Sequence, residues 1–360
     1  MFHRKKVVLG AALAAAALVV TGCSGAPAAS QPASQPASSA PTESQTLTVL
    51  THDSFALPQE TLDAFAKETG YKVTYSAPGD AGTVVNQLIL SKDAPLGDVV
   101  FGIDNTFATR ATDAGVLSPY SSPALPAAAD AWAADVNGAL TPIDYGDVCL
   151  NADADWFAGH KLAIPQTFDD LLKPEYKDLL VVENPASSSP GLSMLLATVA
   201  AKGEPGYLDY WKALKANGLK VTPGWTEAYT VEFSGSEGKG DRPLVLSYAS
   251  SPASEIRGDG QPQTVNLPQT CLRQVEYAGV IAGAQNEVGA RKFIDWLLSK
   301  DVQQQIPDNM WMYPVDDSVA LPDAWATFGA AVEEPWHVPA SEISAKRDTW
   351  IKDWTATVIG

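Results

Sequence analysis

Leu47-Thr48-Val49-Leu50-Thr51 alternates apolar and β-branched residues, then breaks into the polar run His52-Asp53-Ser54, the pattern of a strand that ends at a loop. Leu57 to Gly70 follows with Leu62, Phe65 and Ala66 on one side and Gly70 as the stop, which predicts an amphipathic helix. Strand alternation resumes over Tyr71 to Tyr75, a second helix is predicted over Gly82 to Ser91, and Gly97-Asp98-Val99-Val100-Phe101 reads as a buried strand. This βαβαβ rhythm predicts an α/β fold, with a mostly parallel sheet and helices on its faces.

The same grammar returns further along. Strands are predicted over Leu179 to Glu183, Lys220 to Thr222 and Pro243 to Tyr248, and helices over Gly191 to Ala201 and Val288 to Ser299; Trp350 and Trp354 repeat at helical spacing near the end. No internal repeat is visible. The region after Leu47 exceeds 300 residues, enough for two lobes with separate cores. The expected division places 46–143 with 274–325 in one lobe and 144–273 in the other, with 326–360 as a C-terminal helical segment. A ligand is expected in the cleft between them, at the carboxyl ends of the strands.

The N-terminus carries a different message. Arg4, Lys5 and Lys6 precede an apolar stretch from Val7 to Val20 that ends in Val20-Thr21-Gly22-Cys23. The stretch is short for a membrane span and has the form of a secretory signal over 1–22. Its last residues resemble the bacterial lipobox, which implies cleavage before Cys23, acylation of its thiol and anchoring to the outer face of the cell membrane. Ser24 to Gln45 is Ala, Pro, Ser and Gln almost throughout; it buries too little apolar surface to order itself and is expected to be a tether over 23–45. Cys149 and Cys271 are the other cysteines, and an even pair in an exported chain suggests one disulfide, with two separate buried thiols as the alternative.

The formal charge is −18, and loss of Arg4, Lys5 and Lys6 with the signal takes it to −21. Phosphate backbones would be repelled, so nucleic acid is a poor partner. Small cations are compatible with such a chain, although acidity also serves solubility alone. Polar and aromatic residues gather in loops after the predicted strands: His52-Asp53-Ser54, Asp104-Asn105, Asp144-Tyr145-Gly146, Ser187-Ser188-Ser189-Pro190-Gly191, Gly224-Trp225-Thr226-Glu227-Ala228-Tyr229, Ser247-Tyr248 and Asn309-Met310-Trp311. The triple serine opens a helix, which makes it either an anion site or an ordinary N-cap. Asp53 and Asp104 could meet a ligand's amino group or shape their own loops. Trp225, Tyr248 and Trp311 offer flat faces to a cationic ring, each contact being worth about 0.5–2 kcal/mol.

These clusters resemble the thiamine-binding periplasmic proteins of ABC importers. The likeness runs from Leu47 to the C-terminal helix and is carried by Asp53-Ser54-Phe55, Asp144-Tyr145-Gly146, Ser189-Pro190-Gly191-Leu192, Gly224 to Tyr229, Leu246-Ser247-Tyr248 with Ser251-Pro252, and Trp311-Met312-Tyr313-Pro314. It implies a two-lobed type II periplasmic-binding-protein fold that closes on thiamine or a thiamine phosphate. It also implies a monomer that delivers its ligand to permease and ATPase subunits. By the resemblance, His52, Asp53, Ser54, Tyr229 and Asn309 belong to the ligand site, and Trp311 and Tyr248 flank the aromatic rings. Asp104 accepts a hydrogen bond from the aminopyrimidine, and Ser187, Ser188 and Trp225 surround the hydroxyethyl or phosphate end. His52 stands where the family often has Tyr, which weakens stacking there, and protonation of His52 would oppose a cation. Ala186 stands where members often carry Arg, which favours free thiamine over its phosphates.

Enzyme chemistry finds little support. Ser236-Glu237-Gly238-Lys239 fits Ser-x-x-Lys but sits in a Gly-rich loop without companion motifs. His3, His52, His160 and His337 show no ligand spacing to one another, so neither a metal centre nor a cofactor is expected. The nearer alternatives are binding proteins for a polyamine or for ferric iron. A polyamine would use carboxylates such as Asp53, Asp104, Asp144 and Glu227.

Overall fold

The computed structural model describes residues 44–360 except 137 and 237. The expected signal segment, Cys23 and nearly all of the tether lie outside the described residues. Strands β1 (Thr46–Leu50), β2 (Lys72–Ser76) and β3 (Val99–Asp104) pair in parallel in the order β2-β1-β3. The helices between them are Gln59–Thr69 and Ala81–Leu90, which reproduces the expected βαβαβ unit. Pro58 delays the start of the first helix, and Gly70, at φ 74°, ends it by returning its N–H to the carbonyl of Ala66. That left-handed conformation suits a residue without Cβ.

Two-residue β4 (Leu117–Ser118) precedes the long β5 (Thr141–Asp153). Beyond it lie β6 (Leu180–Glu183), β7 (Lys220–Thr222), β8 (Leu244–Tyr248), the long β9 (Thr264–Ile281) and β10 (Tyr313–Pro314). A second parallel group forms in the order β8-β6-β7. The two groups are joined through β9 and β5, and the full order is β2-β1-β3-β9-β5-β8-β6-β7. Pairing of β9 with β3, of β5 with β9 and of β5 with β8 is antiparallel. The sheet is therefore mixed, which corrects the expectation of a mostly parallel one. The expected lobe limits at 143/144 and 273/274 fall inside β5 and β9.

Two main cores form, and the second joins Leu50, Val84 and Val100 of the first strand group to residues of the second group. Leu47, Val49, Phe65, Phe101, Phe293 and Leu297 pack together in the first, where the Glu287–Leu297 helix covers the sheet. In the second, Leu195, Leu196 and Trp211 meet Trp354 of the Ala340–Val358 helix, Trp211 and Trp354 edge to face at 5.5 Å. Both strands of the β5–β9 pair shift register between Val148 and Leu150, and there Cys149 and Cys271 form a fully buried disulfide.

Candidate functional site

A cleft of about 310 Å³ opens where the loops after β1, β7 and β8 face the end of the Ile306–Met310 helix. Its wall is aromatic. Trp225 lies half-buried against Tyr229, with ring centres 4.8 Å apart and planes 16° apart, and Tyr229 stacks in turn on Phe233 at 5.5 Å. Trp311 meets Trp225 edge to face at 5.9 Å. The indole Nε1 of Trp225 donates to Ser247 Oγ at 3.0 Å, so its plane is fixed by stacking on one face and a hydrogen bond at one edge. Trp311 has φ 57°, an uncommon conformation for a bulky residue, and one that clusters at ligand sites. Ser250 Oγ donates to its carbonyl. Tyr248 ends β8 beside Gly146, where a Cβ would come within 2.9 Å of Met312 Sδ and 3.0 Å of Tyr248 Cδ1. Gly146 thus gives both side chains room to border the cleft.

The floor is acidic. Glu276, on β9, is 5% exposed and borders the cleft. Its Oε2 lies 3.5 Å from His52 Nε2, and its Oε1 accepts from Gln274 Nε2 at 3.0 Å. Burial lowers the His52 pKa, but the nearby Glu276 carboxylate, with the charges of Asp80 and Asp53, outweighs it and leaves the imidazole above its ordinary 6.5. Gly102, at φ 90°, lies directly under that ring, and a Cβ there would collide with His52 Cδ2. Asp104 and Asp144 flank Glu276 on the neighbouring strands and are fully buried. Burial, with the charge of Glu276 beside it, pushes Asp104 up to about 7 against hydrogen bonds from Thr106 and the Phe107 N–H. Asp144 is also held well above the ordinary carboxylate range, by burial first and then by the charge of Glu276 beside it.

At the opposite end, Asp80 caps the Ala81–Leu90 helix, its Oδ1 accepting from Ala81 N at 2.6 Å. The same carboxylate reaches across to the second strand group, where it accepts from Ser189 N at 3.4 Å and Trp225 N at 3.2 Å. Burial raises its pKa, while the hydrogen bonds from Ser188, Ala81 and Trp225, together with the charge of His52, oppose that rise. Ser54 Oγ lies 3.3 Å from Thr226 Oγ1 and makes a second contact between the two sides.

Of the residues singled out in the sequence, His52, Asp53, Ser54, Trp225, Tyr248, Asn309 and Trp311 border this one cleft. Asp104, Ser187, Ser188 and Tyr229 do not. Asp104 is sealed beneath the floor by Thr106 Oγ1 at 2.8 Å and by Phe107 N at 3.2 Å. Ser188 is the N-cap of the Ser189–Lys202 helix, its Oγ accepting from Gly191 N at 3.4 Å. Ser187 donates to the Pro223 carbonyl, and Tyr229 backs Trp225 while its hydroxyl donates to Glu255. Ser189 takes the bordering position expected of its two neighbours. Asp80 and Glu276 went unrecognised in the sequence; Gly79-Asp80-Ala81 carries the signal of an ordinary helix cap, and Glu276 lies within a strand.

Residues 94–329 match the family described as bacterial extracellular solute-binding protein. The chain is 30% identical to a thiamine-binding periplasmic protein of Salmonella typhimurium over 87% of its own length and 93% of the relative's. A thiamine-binding periplasmic protein of Brucella suis is 28% identical over 86% and 91%. Among solved structures, a periplasmic thiamin binding protein superposes with a TM-score of 0.75 at 27% identity, covering 87% of this chain and 96% of the other. Among the described residues no helix is long and apolar enough to cross a membrane.

Proposed function

The chain belongs to the bacterial extracellular solute-binding protein family, and from that premise we propose that it captures thiamine outside the cytoplasm and hands it to the permease of an ABC importer. The observation that carries the reading is one cleft with indole and phenol faces on its wall and a buried carboxylate on its floor. That combination suits a flat heteroaromatic cation, because ring faces attract positive charge and the carboxylate neutralises it. In this reading Trp311 and Tyr248 flank the rings, Glu276 faces the cationic side, and Trp225 with Ser189 borders the hydroxyethyl end. The lobes are 46–143 with 274–325 and 144–273, and ligand stabilises their closed arrangement by touching both.

Free thiamine is the preferred form. The N–H groups of Ser189 and Trp225, where a ligand phosphate would gather donors, already face the Asp80 carboxylate, and Ala186 supplies no positive charge nearby. Calorimetry against thiamine, its monophosphate, its diphosphate and spermidine tests this directly. Thiamine is expected to bind most tightly and to quench tryptophan fluorescence, and spermidine to leave the fluorescence unchanged. Absence of both heat and quenching with thiamine sinks the assignment. Acylated Cys23 is proposed as the membrane anchor, so Cys23→Ala is expected to release the protein into the soluble fraction. Retention of that variant in membranes would refute the anchor.

A further inference from the structure

Three carboxylates lie side by side on the three strands that meet under the cleft. Glu276 of β9 is in register with Asp104 of β3 on one side and with Asp144 of β5 on the other. Register partners on adjacent strands point to the same face, with Cβ atoms about 4.5–5.5 Å apart. Asp104 and Asp144 are fully buried and Glu276 is 5% exposed. Asp104 is satisfied by Thr106 and the Phe107 N–H. Asp144 differs, because neither of its oxygens receives a hydrogen from any donor. Its neighbour across the ladder is the Glu276 carboxylate; burial first, and then that neighbouring charge, raises the Asp144 carboxyl well above the ordinary carboxylate range. Two buried carboxylates side by side cannot both stay ionised, so one of the pair holds a proton. From Glu276 the polar chain runs on through Gln274, which donates to Oε1, to the hydroxyl of cleft-bordering Tyr248, 3.3 Å from Gln274 Oε1.

We propose that Asp144 is a proton-holding, charge-setting residue: it keeps a proton against Glu276 in the empty protein and releases it to solvent when a cation seats in the cleft. One proton leaves the carboxylates as one positive charge enters the cleft above them, so the summed charge of cleft and carboxylates stays constant and no bond other than the O–H of Asp144 breaks. The inference rests on the reading of the cleft as a site for a heteroaromatic cation. The titratable groups around the rung are His52, 3.5 Å from Glu276, Asp104 beside Glu276, and Tyr248 from β8, while Asp80 and Asp53 act on His52. His52 is the one basic group among them, and its contact is with Glu276 rather than Asp144. A neutral ligand gains nothing from such a device, since it offers no charge to replace the proton. The rung therefore makes positive charge a condition of tight binding.

The test has two parts on the full-length protein. Infrared difference spectra of the ligand-free protein near neutral pH, wild type minus Asp144→Asn, are expected to show a protonated carboxyl band belonging to Asp144; bands from Asp104 and from buried Glu183 persist in both samples. Thiamine titrations in phosphate and in Tris, buffers that take up protons with different heats, are expected to differ by the heat of about one proton released per ligand, with affinity rising up to tenfold per pH unit while Asp144 is protonated. Asp144→Asn, which keeps the shape but has no proton to give, is expected to remove the difference; Glu276→Gln gives a second reading should that variant fold poorly. Equal heats for the wild type in the two buffers would overturn the proposal and leave the ligand assignment standing, as would a buffer difference lost in His52→Gln and kept in Asp144→Asn. If thiamine gives no heat at all, the ligand assignment fails and the coupling with it, and the infrared band then decides separately whether Asp144 holds the proton.

Discussion

A single residue in this site does several jobs, and its substitution can be read accordingly. Trp311 borders the cleft, meets Trp225 edge to face and holds a left-handed backbone. Trp311→Ala removes one aromatic face, so thiamine affinity measured by calorimetry is expected to fall tenfold or more, about 1.4 kcal/mol; an unchanged titration curve would remove Trp311 from the site. Asp104 shows a different economy. Its carboxyl is pushed up to about 7 by burial, so between about pH 4 and 7 the folded chain holds a proton there that the unfolded chain does not. Stability contributed by this group therefore falls as pH rises through that window. Asp104→Asn mimics the protonated form and still accepts from Thr106 and Phe107. The variant is expected to gain more thermal stability over wild type at pH 8 than at pH 4, and an equal effect at both would contradict the burial argument. Trp311 and Tyr248 were legible in the sequence because aromatic side chains in polar loops after strands are conspicuous. Asp80 and Glu276 were not, because their meaning comes from partners remote in sequence: Trp225, 145 residues away from Asp80, and His52 opposite Glu276.

At the scale of elements, local signals were read well and non-local ones poorly. The first βαβαβ unit could be traced because each element carries its own period and its own stop, with Gly70 as the clearest case. β5 and β9 escaped. β5 holds Asp144, Asp147 and Asn151 among its buried residues, so its sequence lacks the alternation that marks a half-buried strand. For two of them the fold supplies partners: Asp147 is paired with Arg273 of β9 and accepts from Val332 N at 2.7 Å, and Asn151 Nδ2 donates to the Tyr248 carbonyl at 3.1 Å. The same strand pair carries the Cys149–Cys271 disulfide, which closes a loop of 122 residues. A crosslink over so long a loop restricts the unfolded chain strongly, and removal of a native bridge costs about 2–5 kcal/mol. The double replacement Cys149→Ala with Cys271→Ala is expected to lower the denaturant midpoint accordingly. A midpoint equal to that of the wild type would show that the bridge adds no stability.

At the scale of the whole molecule, the question is how firmly the two sides hold each other without ligand. The direct polar contacts between the two sides include Asp80 to the N–H groups of Ser189 and Trp225, Ser54 to Thr226, the Thr83 N–H to the Ser187 carbonyl, Ser250 Oγ to the Trp311 carbonyl, and Tyr248 to Gln274. Each hydrogen bond contributes about 0.5–1.5 kcal/mol net, and somewhat more where a carboxylate accepts. β5 and β9 join the two strand groups, and in the proposed closure they are the segments about which the sides move. A ligand that touches both sides adds its differential affinity to the closed form alone. Thiamine at one hundred times its Kd should therefore raise the unfolding free energy by about 2.7 kcal/mol and reduce the radius of gyration seen by small-angle scattering. Asp80→Asn removes the charge from the clasp, so the empty variant should scatter as a more open particle than the empty wild type while the two liganded forms coincide. The same change removes a negative charge from the place where a phosphate would lie, so the variant's affinity for thiamine diphosphate should rise relative to thiamine. Identical scattering from the empty variant and wild type would mean that Asp80 only caps its own helix, and that the sides are held by packing instead.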